Sequence, residues 1–123
     1  MATISDYVLD AALAKLIGEA DRIDITSQEA TSYNEATSTY TLGNSTSVTF
    51  APATDGDTSG RKSTCGAISD GSVTASGNAT HFAISDVSEG RLLVTGTLTT
   101  QQSVVSGNSF TVDAFDVEIP DPA

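Results

Sequence analysis

A chain of 123 residues with sixteen acidic and five basic side chains, a net charge of −11 and 38% hydrophobic residues can bury one modest core and is too apolar for disorder. That field repels phosphate backbones. Arg61-Lys62, the only adjacent basic pair, has no aromatic residues interleaved with it, which argues against nucleic-acid binding.

One cysteine, Cys65, excludes an internal disulfide and a cysteine metal cluster. No apolar run approaches the roughly 20 residues that span a bilayer. The amino terminus, Met1-Ala2-Thr3-Ile4-Ser5-Asp6, lacks the positive region of a signal peptide, so synthesis and folding in a cytoplasm are expected.

A helix is expected over about residues 5–20, where Tyr7, Val8, Ala11, Leu13, Leu16, Ile17 and Ala20 fall close to one helical face. Ser5 or Asp6 can cap it, and Gly18 weakens the pattern near its end. A lone helix this short is marginal, so packing on its own domain is the preferred reading; a partner-binding amphipathic helix is the alternative. After Asp21 the period becomes that of a strand, over Arg22-Ile23-Asp24-Ile25-Thr26. Residues 27–40 read as polar and irregular, anchored by Thr31, Tyr33 and Tyr40. Short strands are expected at 40–43 and 47–50 around a turn at Gly43-Asn44. Residues 51–60, with Pro52, Gly56 and Gly60, read as a loop.

The second half is strand after strand. Residues 62–68 form one, closed by a Ser69-Asp70-Gly71-Ser72 hairpin turn from which 72–75 pairs back. Residues 79–85 follow a Gly77-Asn78 turn, and a turn over 86–90 leads into 91–98. Val104-Val105 is short, and Ser106-Gly107-Asn108 turns into the clearest alternation of the chain, 110–119. There Phe110 and Val112 share one parity, while Phe115, Val117 and Ile119 take the other; a bulge near Asp113-Ala114 would bring all five to one core face. Pro120 and Pro122 stop this strand. Short, Thr-rich strands about ten residues apart predict a mainly β fold: an antiparallel β-sandwich, jelly-roll or Ig-like, with one N-terminal α-helix, as a single domain over 1–123.

Cys65 reads as a buried, inert thiol. His81 alternates against Phe82 and Ile84, which makes it an exposed or interface histidine. Without a second histidine or a G-x-S-x-G elbow, no triad can be assembled. The acids Asp113, Asp116 and Glu118 on one strand, and Asp6, Asp10, Glu19 and Asp21 around the helix, read as solvated faces rather than a general acid–base pair. Asp55-Gly56-Asp57-Thr58-Ser59-Gly60 begins like a calcium loop, but the position of the closing glutamate is Gly66 and a normally apolar position is Lys62, so a polar turn is expected. Asn44-Ser45-Thr46 and Asn78-Ala79-Thr80 match the glycosylation pattern but carry no meaning without a leader. No catalytic, cofactor-binding or metal residues are assigned; the expectation is a protein without enzymatic activity or cofactor.

Leu9-x-x-Ala12-Leu13, Glu19-Ala20-Asp21-Arg22-Ile23-Asp24-Ile25-x-Ser27-Gln28-Glu29, Tyr33-x-Glu35-Ala36-Thr37 and Tyr40-x-Leu42-Gly43 carry a resemblance. So do Ser76-Gly77-x-Ala79-Thr80-His81-Phe82-Ala83, Leu92-Leu93-Val94-Thr95-Gly96-x-Leu98, Ser106-Gly107-Asn108 and the segment from Phe115 to Pro122. Over nearly its whole length the chain resembles small virion structural proteins of tailed bacteriophages. The resemblance implies a head decoration or cement protein in the capsid that binds the major capsid protein. The alternative is a head–tail connector, tail or fibre component that binds another virion protein. It allows a homo-oligomer such as a trimer and assigns no capsid-contact residues; on the charge and the lack of a long apolar run, neither nucleic acid nor membrane is expected as a partner.

Overall fold

A computed structural model describes residues 4–121. Strand outweighs helix, 48% to 18%, so the chain is mainly β, with antiparallel pairing and an N-terminal α-helix as expected. In chain order the elements are α1 (Asp6–Glu19), β1 (Arg22–Thr26), β2 (Thr41–Ser45), β3 (Thr54–Asp55), β4 (Arg61–Cys65), β5 (Ile68–Val73), β6 (Gly77–Asp86), β7 (Arg91–Val104), β8 (Ser109–Val112) and β9 (Phe115–Ile119). A π-helical turn, Glu35–Thr39, lies between β1 and β2. Contacts gather these into two compact units. The first takes the chain up to Glu19, Thr49–Ala67 and the chain from Asp113; the second takes Ala20–Val48 and Ile68–Val112.

In the first unit β4 is the central strand of an antiparallel sheet ordered β3-β4-β9. The Ser5 carbonyl accepts the amides of Val8 and Leu9 at 3.0 and 3.2 Å, which places Ser5 at the helix cap. Helix α1 lies against β4 and is tied to it by Arg61, whose Nε donates to Asp10 Oδ1 at 2.7 Å. Cross-strand pairing puts Ser63 and Cys65 on the same sheet face as Arg61, with the half-buried Phe115, Val117 and Ile119 of β9 beside them. The buried stripe of the helix is Leu9, Leu13 and Leu16. Tyr7 and Val8 of the expected face are 85% and 54% exposed, and Ala11 is exposed too. At about 100° per residue the three leucines span only about 60°, and Tyr7 lies nearly opposite them. Leu13 and Leu16 of the expected face are thus kept and Leu9 joins them, because the three leucines share one narrow stripe that Tyr7 and Val8 cannot join.

The second unit is a six-stranded antiparallel sheet ordered β7-β6-β1-β2-β5-β8. It curls towards a half-barrel. The two edge strands are consecutive in sequence, joined by a turn with Gly107 at φ 94°, and the Gln102 side-chain amide on β7 donates to the Thr111 carbonyl on β8 at 2.8 Å. The bend comes from β7, which pairs Thr97 with His81 and Gln102 with Ala79, so four residues face one. One face carries Ile23, Ile25, Phe82, Ile84 and Phe110, all buried. Asp24, Ala83 and Ser85 point the other way, where Ala30 and Ala36 of the 27–40 segment cluster on Ala83, with Tyr40 and Leu92 packed against them. Ala30 and Ala36 are thus its buried anchors, while Thr31 is exposed.

Both Gly43-Asn44 and Asp70-Gly71, expected as turns, lie inside strands. Gly71 pairs with Phe110, and a Cβ on Gly71 would sit 2.4 Å from that ring; one on Gly43 would meet the Ser72 carbonyl oxygen at 2.5 Å and the same ring at 3.1 Å. These glycines admit an aromatic ring rather than reverse the chain. Residues 47–50 contribute only a bridge at Phe50 to Cys65. Residues 72–75 do not form a return strand; Ser72 and Val73 complete β5. Strand β7 runs on to Val104 and absorbs the short strand expected there. The 110–119 run is two strands in two sheets, and its phase change at Asp113-Ala114 is where the chain passes between units. Pro120 follows β9; Pro122 lies outside the described residues.

Candidate binding surface

Each of the five basic residues is ion-paired within the chain. Arg61 joins Asp10 of α1 to Asp55, each at 2.7 Å. Lys62, on the other face of β4, joins Asp57 at 2.6 Å to Asp116 at 3.1 Å. Arg22 grips Asp24 through two hydrogen bonds of 2.8 and 2.9 Å, while Lys15 meets Glu19 and Arg91 meets Glu89. The adjacent Arg61 and Lys62 point to opposite faces of one strand, so they form no basic patch.

These pairs take up three of the acids singled out in the sequence, Asp10, Glu19 and Asp116. Asp116 also accepts from the Thr64 hydroxyl at 2.6 Å; that bond and the Lys62 ammonium hold its carboxyl below the usual carboxylate range. The Asp57 amide donates to Glu118, which fastens the 55–60 loop to β9. Among the described residues, no three or more His, Cys, Asp or Glu side chains converge to hold a metal ion. Asp21 accepts the Val87 amide at 2.8 Å, tying the β6–β7 turn to the start of β1.

The histidine and the cysteine lie apart. His81 is half-buried in the second unit, its Nδ1 2.8 Å from the Thr80 hydroxyl, beside Thr26 and Thr97 on neighbouring strands. Cys65 is 0% exposed in the first unit, and burial pushes its thiol up to about 11. Asn44 and Asn78 both lie within strands.

Two features escaped the sequence reading. Asp24 is wholly buried, held by Arg22 and by the Thr41 hydroxyl at 2.6 Å. Its i, i+2 spacing from Arg22 in an isoleucine-flanked strand was the available signal. The second is the outward side of α1, where Tyr7, Val8, Ala11, Ala14 and Gly18 are all exposed. The leucine spacing 9-13-16 was the clue that turned these residues outward.

No family model, curated protein or solved structure matches the chain. No described helix is long and apolar enough to cross a membrane.

Proposed function

We propose that this protein is a non-enzymatic structural component of a tailed-phage virion, decorating or cementing the capsid by binding the major capsid protein. The observation that carries the reading is the complete internal engagement of its cations against a net charge of −11. Such a surface offers carboxylates to a partner and no uncommitted cation, which favours basic or neutral protein surfaces over phosphate and anionic lipid. The sequence resemblance to small virion proteins supports a shell as that partner. Many modest contacts, repeated at symmetric positions, then bind effectively as one array.

Copy number in purified virions tests this directly. Copies on the order of hundreds per particle, located on the shell by electron microscopy, are the expected outcome under such multivalent binding. A dozen copies or fewer at one vertex or in the tail would replace the cement reading with the connector, tail or fibre reading.

A further inference from the structure

Helix α1 has two apolar faces and its own unit uses only one. Leu9, Leu13 and Leu16 are buried, whereas Tyr7, Val8, Ala11, Ala14 and Gly18 on the far side are exposed. The spacing of Tyr7, Ala11, Ala14 and Gly18, alternating steps of four and three, is that of a helix-packing seam. The seam is graded: bulky at Tyr7, then small, and a Cβ built on Gly18 would meet nothing within 4 Å. A second helix could therefore approach closely along the small end and seat its own larger side chains beside Tyr7. The same helix carries Asp6, Asp10 and Glu19, and its one cation, Lys15, is paired with Glu19.

We propose that this outward face is a docking surface whose occupant is an amphipathic helix of the partner protein, its apolar stripe flanked by lysines or arginines. Charge complementarity selects that occupant. A second copy of this chain, itself at −11, would add repulsion, whereas a basic-flanked helix lowers it: α1 carries three acids to one cation, and with Asp10 held by Arg61 and Glu19 by Lys15, the exposed Asp6 stands outside the ion pairs of the described residues. That the partner is a capsid subunit rests on the reading above; the chemistry of the occupant does not.

The test uses the intact protein and two probes. One is a designed helical peptide with a Leu/Ala stripe flanked by lysines, with a glutamate-flanked twin; the other is expanded empty shells of the encoding phage. The lysine peptide should bind and move the NMR signals of Tyr7, Val8 and Ala11, and the glutamate peptide should not. Ala11→Gln with Ala14→Gln, exposed and helix-compatible, should keep the circular dichroism and melting temperature and weaken peptide and shell binding at least about tenfold. Shells that bind wild type and the double variant equally would overturn the docking face and leave the cement reading standing. A peptide that binds through α1 while shells do not would support the face and sink the cement reading. Peptides that both fail to bind, or a seam that sedimentation shows filled by a second copy, would overturn the proposal.

Discussion

Asp24 shows what one side chain can cost when its partner is removed. Its carboxylate is buried and takes two bonds from Arg22 and one from Thr41, and the Asp24 bond is the main cause that raises the Arg22 pKa. Asp24→Ala would strip a half-buried guanidinium and the Thr41 hydroxyl of their acceptor, so a loss of about 1–3 kcal/mol in denaturant unfolding is expected; an unchanged midpoint would contradict this account of the site. Gly71 acts by absence. Gly71→Ala drives a methyl into the Phe110 ring, and a destabilisation of about 1–3 kcal/mol should follow from the forced repacking. Cys65 has its thiol raised to about 11 by burial. A thiol reagent at pH 8 should leave it unmodified for hours in native protein and react promptly in denaturant, since roughly one molecule in a thousand carries the thiolate.

At the level of elements, α1 separates two readings of one sequence. Leu13→Ala should cost about 2–4 kcal/mol, because Leu13 is 1% exposed, while Tyr7→Ala should change stability by less than about 0.5 kcal/mol. The reverse ranking would mean that the helix is rotated by half a turn. The helix boundaries and β1 were legible because period and capping are local signals. The helix orientation was not, since apolar residues occupy both sides and only tertiary contact chooses between them. Gly43 and Gly71 misled for a related reason: a glycine that turns the chain and one that makes room for a ring look alike until the ring is placed. The phase change at Asp113-Ala114 was visible, but a bulge and a hand-over between sheets produce the same parity slip. On the candidate surface, the acids were legible as residues and not as partners, because Asp10 and Asp116 meet Arg61 and Lys62 only through long-range pairing.

At the scale of the whole molecule, charge governs how stability responds to pH. The carboxyls of Asp116, Asp70 and Glu35 lie below their ordinary values, held down mainly by hydrogen bonds from Thr64, Ser47 and Thr31 respectively. Folded, they bind protons less readily than when unfolded. Their contribution is therefore complete above the ordinary carboxylate range, near about pH 4, and is lost as pH falls through the depressed values. Lys62, raised mainly by its bond to Asp57, runs the other way: its contribution holds below about pH 10 and fades as pH rises through the raised value. A melting temperature that is level across neutral pH and falls in acid is the expected profile; a maximum in acid would refute it. The central claim, that the protein strengthens an assembled shell, is tested most directly by heating genome-filled particles that lack it, with and without purified protein added back. Such particles should form at normal geometry, release their genome at lower temperature than wild type, and recover when the protein is restored. Particles of unchanged heat stability that instead lack tails or fail to adsorb would contradict the claim.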